Sequence, residues 1–185
     1  MTPGASVAHS AHGTRQRLAP DTTYWYRFTT GGQVSPVGRT RTTPAPGASV
    51  DQVKMVFATC QNYEAGFYTA WSNVVAEDPD LVVFLGDYIY EGGISTTRPR
   101  RHNSPEIKTL EDYRKRYGLY KSDLRLQAAH EAAPWLITWD DHEVENNYAG
   151  LVPQDPAAQP TFAARRVAAY QAFWENQPIR NEPVE

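Results

Sequence analysis

From Thr23 to Thr29 the chain alternates aromatic and polar residues, Thr-Tyr-Trp-Tyr-Arg-Phe-Thr, which is the two-residue period of a half-buried strand. Gly31-Gly32 comes next as a hairpin signal, and Val37 to Thr42 reads as the returning strand. The pattern changes after the Pro/Gly stretch Thr43-Pro44-Ala45-Pro46-Gly47-Ala48, which marks a linker over 44–50. Val53 to Thr59 predicts a strand. Phe67, Ala70, Trp71, Val74 and Val75 then recur at helical spacing, and Asp78-Pro79-Asp80 stops that helix. Leu81-Val82-Val83-Phe84-Leu85 runs apolar without alternation, as in a strand buried on both faces. Strand, helix, strand is a βαβ unit and implies a parallel sheet.

Residues 92–108 are rich in Gly, Ser, Thr, Arg and Pro, and predict a loop over the strand ends whose basic cluster, Arg98, Arg100, Arg101 and His102, is either solvated or meets an anionic substrate, the solvated reading being favoured. Leu110, Tyr113 and Tyr117 predict a helix. A second runs from the capping residue Asp123 to Ala133. Pro134 to Trp139 predicts another strand, and Phe162, Val167, Tyr170, Phe173 and Trp174 mark a last helix. Residues 1–13 are small and polar, and are expected to be loose. The fold class expected is α/β: a partial sheet with helices over 51–185, preceded over 1–43 by the tail of an all-β, immunoglobulin- or fibronectin-like domain.

The composition narrows the function classes. A net charge of -3 offers no basic stripe for nucleic acid. No apolar run approaches the ~18–20 residues that cross a bilayer. The N-terminus lacks the basic-then-apolar order of a signal peptide. One cysteine, Cys60, cannot form an internal disulfide.

The predicted strands end in ligand-type residues: Cys60; Gly86-Asp87 with Tyr90; and Asp140-Asp141-His142-Glu143-Val144-Glu145-Asn146. In a parallel sheet the carboxyl ends share one edge, where ligands bind. Each group alone has a bland reading as packing or a solvated loop; their coincidence points to a metal site. A thiolate and a phenolate suit trivalent iron, whereas carboxylate and amide oxygens suit calcium or magnesium. Asp87, with two oxygens, is placed to bridge two ions. His142 is not needed as a ligand and is free to protonate a leaving group or to stabilise charge on a phosphoryl oxygen.

Thr59-Cys60-Gln61, Leu85-Gly86-Asp87-Tyr88-Ile89-Tyr90-Glu91, Arg116-Tyr117-x-x-Tyr120 and Trp139-Asp140-Asp141-His142-Glu143-Val144-Glu145-Asn146-Asn147 together resemble the PhoD family of alkaline phosphatases and phosphodiesterases, within the metallophosphatase superfamily. The resemblance implies hydrolysis of phosphate mono- and diesters with Fe³⁺ and Ca²⁺, outside the cytoplasm, after twin-arginine export of the full-length protein. It implies Cys60 and Tyr90 as iron ligands, Asp87 as the bridge between Fe³⁺ and Ca²⁺, Asn146 as a calcium ligand, Asp141 as a further metal ligand, and His142, in the place of the His of the Asn-His-Glu motif of general metallophosphatases, as the catalytic histidine. The family takes further His and Asp ligands from a C-terminal half. No histidine follows His142 here, so the chain reads as an internal fragment, inactive and poorly soluble alone. Purple acid phosphatases share Gly-Asp-x-x-Tyr but differ at Cys60 and Asp141; a phospholipase D-type phosphodiesterase and an inactive immunoglobulin-like binding module are the remaining alternatives. Substrate-binding residues are not legible in the sequence.

Overall fold

The computed structural model describes residues 10–180; the expectations for residues 1–9 and for the last five residues lie outside the described range. The chain begins with a broken antiparallel ribbon. Strand β1 (Thr23–Tyr26) pairs with β4 (Gly38–Arg41), while β2 (Thr29–Thr30) and β3 (Gln33–Val34) form a separate small ladder around Gly31-Gly32. The expected continuous strand over 23–29 breaks at Arg27-Phe28. There the Ser35 hydroxyl accepts from the Phe28 N–H, and Pro36, which has no N–H, cannot extend the ladder.

The ribbon docks on the sheet-and-helix portion of the chain. Arg39 donates to the carbonyls of Ala132 and Pro79, at 2.6 and 3.1 Å, and pairs with Asp78. Arg41 bridges Asp21 and Asp80.

That portion is built on a three-stranded parallel sheet in the order β5 (Met55–Ala58), β6 (Leu81–Phe84), β7 (Trp135–Ile137). Helix α1 (Ala70–Ala76) connects the first two strands. Helices α2 (Leu110–Lys121) and α3 (Leu124–Ala132) precede β7, and α4 (Phe162–Asn176) closes the described chain. The parallel βαβ order expected from the sequence is present.

Three expectations need correction. Phe67 is not on the first helix; it lies before its start and is 54% exposed, and of that helix only Trp71 is buried. Strand β6 is not buried on both faces. Val82 and Phe84 are fully enclosed, whereas Leu81 and Val83 are half-buried and Leu85 is exposed. Its buried side chains meet the aromatic core: Phe84 packs on Trp71, Trp135 and Tyr88. On the other face, Met55, Phe57 and Leu136 are exposed. Nor is the loop over 92–108 simply solvated. Its Arg100 pairs with Asp123 at 2.6 Å and lies 3.8 Å above the Tyr63 ring, so it is not a free cation for a substrate. His102 is buried in the same loop.

Asp123 caps α3 as expected, accepting from Arg125 N and Leu126 N. Thr109 and Asp112 form a capping box at the start of α2. Arg116, on the inner face of α2, is fully buried.

Candidate metal centre

The carboxyl ends of β5, β6 and β7 meet on one edge of the sheet. The backbone there is unusual: Cys60, Asp87 and Asn147 all take left-handed conformations, each with φ 58. For residues with side chains this region costs energy and concentrates at functional sites. Between them Gly86, with φ +103, lets the end of β6 touch the turn after β7. A Cβ on Gly86 would come within 2.6 Å of the Asp140 nitrogen. Gly86 O accepts from Cys60 N and Asp87 O from Gln61 N, which lashes the β5 and β6 ends together.

Asp87 is the centre of the cluster and is 5% exposed. Its Oδ2 accepts from the Tyr90 hydroxyl at 3.1 Å and lies 3.4 Å from Cys60 Sγ. Its Oδ1 lies 3.4 Å from His142 N. Ligand atoms of Asp87, Asp141 and His142 fall within 4.8 Å of one another, so these three can share an ion. Five of the groups singled out by sequence therefore converge: Cys60, Asp87, Tyr90, Asp141 and His142. Asn146 joins less directly. Its backbone N–H is held by Glu91, and its side-chain amide donates to Gln154 at 2.6 Å, which leaves its carbonyl oxygen available. Asp141 Oδ2 accepts from Asn147 N and pins the left-handed turn.

Two carboxylates in these motifs carry roles that residue-type reasoning missed. Glu143 is completely buried and accepts from three backbone N–H groups: Asp87 at 3.0 Å, Tyr88 at 2.5 Å and Asp140 at 2.7 Å. Burial outweighs these bonds and pushes its carboxyl up to about 7. The signal was available, because Asp140-x-x-Glu143 has capping-box spacing and the box is formed. Glu91 accepts from Asn146 N at 2.8 Å and lies 2.7 Å from His142 Nδ1. Burial acts against both charges, yet their mutual attraction lowers the Glu91 carboxyl and raises the His142 imidazole relative to their ordinary values. No local spacing announces this pair, since the two residues lie on different strand ends. At Tyr90, burial and then the Asp87 charge push the phenol up.

The donor types present fit a metal centre. The Cys60 thiol and the Tyr90 phenol converge on Oδ2 of Asp87, and Asp141 and His142 complete a group with Asp87 that could hold an ion.

Beside the cluster, Trp139, Asp140, Asp141, Tyr148, Gly150 and Tyr170 line an open cleft of about 220 Å³. The Tyr148 and Tyr170 hydroxyls bond at 2.9 Å, and Trp139 packs on Tyr170.

Comparison with known proteins agrees with this geometry. The family described as "PhoD-like phosphatase" matches residues 55–185, and "PhoD-like phosphatase, N-terminal domain" matches residues 1–44. Alkaline phosphatase D of Bacillus subtilis (strain 168) is 53% identical over 180 residues, which are 95% of this chain and 31% of that protein. A solved structure described as "Structure of PhoD" superposes with a TM-score of 0.93 at 51% identity, covering 98% of this chain and 37% of that one. The chain thus spans about a third of the length of the relatives it matches. On its sequence, its fold and its strand-end cluster, the chain belongs to the PhoD-like phosphatase family.

Proposed function

We propose that the protein carrying this chain hydrolyses phosphate mono- and diesters, and that this chain supplies the part of its metal site built on Asp87. One observation carries the reading: a single buried carboxylate is met by Cys60 and Tyr90 on one oxygen and by the backbone of His142 on the other. Cys60, Tyr90 and Asp87 are the ligands for Fe³⁺. Asp87, Asp141 and the Asn146 carbonyl oxygen are those for Ca²⁺. When bound, the pair of ions supplies an activated water and neutralises charge developing on the phosphoryl oxygens.

The chain's own residues do the rest. Glu143 fixes the Asp87–Tyr88 backbone, so the Asp87 carboxylate meets its partners in one orientation. His142, beside that carboxylate and with Nδ1 on Glu91, presents Nε2 to the leaving oxygen and donates a proton to it. The 4.1 Å contact between the Tyr90 and His142 rings keeps the phenol and the imidazole on adjoining sides of the site.

The broken ribbon at the N-terminus is read as the last strands of an immunoglobulin-like domain, with 1–43, 44–50 and 51–185 as domain tail, linker and catalytic portion. The full-length protein is read as acting outside the cytoplasm.

The test uses the full-length protein. Purified with Fe³⁺ and Ca²⁺, it should show a visible tyrosinate-to-iron absorption, and Tyr90→Phe should bleach it. Phosphomonoester and phosphodiester hydrolysis should fall at least about 100-fold in Asp87→Asn. A colourless protein with normal turnover in both variants overturns the assignment. The 185-residue chain alone should show little turnover under the same conditions.

A further inference from the structure

Glu91 is 6% exposed, and both of its carboxylate oxygens reach across the site to the Asp140–Asn147 run. A buried carboxylate is costly unless its oxygens are hydrogen-bonded. Here Oε2 takes His142 Nδ1 at 2.7 Å and Oε1 takes Asn146 N at 2.8 Å. A carboxylate only accepts, so Nδ1 must carry a proton. Neutral His142 is thereby held in the tautomer whose Nε2 has a free lone pair, and protonated His142 presents Nε2–H. The Tyr90 ring, 4.1 Å away and tilted by 32°, backs the imidazole from a second side.

Glu91 is itself held firmly. The Arg116 guanidinium donates from Nη1 to the carbonyls of Tyr90 and Gly92, on either side of it. Tyr90 N donates to the Tyr120 hydroxyl at 3.2 Å, and Ile107 N donates to Glu91 O at 3.0 Å. Helix α2 and the loop before it therefore fix the backbone on which the carboxylate sits.

We infer that Glu91 is the positioning residue of this site, setting the tautomer and orientation of His142 while holding Asn146 in register with it. The inference concerns how His142 is held; that His142 meets substrate rests on the function proposed above.

A glutamine at 91 separates this from a merely structural tie. It has one acceptor and one donor group. With its oxygen on Asn146 N, its NH₂ faces His142 Nδ1 and forces the proton onto Nε2. Flipped, it keeps the Nδ1–H bond but sets NH₂ against the Asn146 N–H. It is isosteric, so packing is retained, but it cannot satisfy both partners.

Long-range ¹H–¹⁵N NMR on the full-length, metal-stripped protein at alkaline pH reads the tautomer, with the His142 signal assigned by its loss in His142→Ala. The wild type should show Nδ1 protonated and Nε2 bare. Glu91→Gln should shift His142 towards Nε2–H. A wild type with Nε2–H, or the same tautomer in both proteins, overturns the inference, and the first of these needs no variant to fold. In the metal-loaded enzyme, Glu91→Gln should lower kcat about 10- to 100-fold on esters with poor leaving groups, and much less on nitrophenyl esters, with KM little changed. A tautomer switch together with a His142→Ala enzyme of normal kcat would leave the positioning intact and remove the proposed role of His142.

Discussion

Single atoms decide whether the strand ends can meet. Gly86 sits where the Asp140 backbone approaches most closely, and its φ of +103 is one that side chains avoid. Gly86→Ala must either strain the backbone or move the Asp140–Asp141 turn away from Asp87. We expect a loss of about 1–3 kcal/mol in denaturant unfolding of the full-length protein, together with lowered metal content. Unchanged stability and unchanged metal content would show that the two strand ends have room to give. The residue scale is also where the sequence was most informative. Cys60, Asp87, Tyr90, Asp141 and His142 were recognisable by donor type at strand ends, and the structure brings them together. Glu91 and Glu143 were not, because nothing in a carboxylate's local spacing tells whether it will bind an ion or hold a backbone.

Elements show what joins the site to its scaffold. Asp123 serves two of them at once: Oδ1 caps α3, and Oδ2 pairs with Arg100, which holds the loop over 92–108 against Tyr63. Asp123→Asn keeps a capping oxygen and loses the ion pair, whereas Asp123→Ala loses both. Chemical denaturation should therefore rank wild type above Asn above Ala, with the cap alone worth about 1 kcal/mol. Equal losses would mean that the cap contributes nothing beyond the pair. His130, on the same helix, stacks on Trp135 of β7 at 3.9 Å and meets the Tyr88 hydroxyl at 2.8 Å. Burial, aided by the Lys121 charge, pushes its imidazole down to about 3. The unfolded chain takes up a proton near pH 6.5 that the folded chain refuses until about pH 3. Stability must therefore fall as pH drops through that window, by at most about 1.4 kcal/mol per pH unit from this group. His130→Phe removes the titration while keeping the stack, so its Tm should fall less steeply between pH 6.5 and about 5. A parallel decline in both proteins would assign the acid sensitivity elsewhere. These helices were legible from caps and periodicity. The ties between them were not: Arg100 reads in sequence as one of a solvated cluster, and only tertiary contacts turn it into a pillar.

At the scale of the whole molecule, one face of the sheet is the open question that the fold itself poses. Strand pairing puts Phe57, Val83 and Leu136 in one row, with Phe57 61% and Leu136 60% exposed. Met55 and Leu85 add to the same apolar expanse. The sequence read β6 as covered on both sides because an unbroken apolar run carries no alternation. The structure covers it on one side only, among the described residues, since Trp71 of α1 packs on Phe84, and Leu126 and Ala129 of α3 share the buried core with Val82 and Phe84. Contiguous exposed apolar area beyond a few hundred Å² is uncommon on a protein that stays monomeric. The matched relatives are far longer than this chain, so in a full-length protein there is chain enough to cover such a face. The 185-residue chain by itself should consequently bind a hydrophobic dye and associate at micromolar concentration, as judged by light scattering. Phe57→Lys with Leu136→Lys places two charges in the middle of the row without touching the buried face. That double variant should lower dye binding and shift the chain towards monomer, while leaving its far-ultraviolet circular dichroism unchanged. In the full-length protein the same pair should instead be destabilising, by several kcal/mol if those positions become buried. Opposite signs in the two contexts would show that the row is covered in the complete molecule; a harmless double variant in the full-length protein would show that this face stays open to solvent there too.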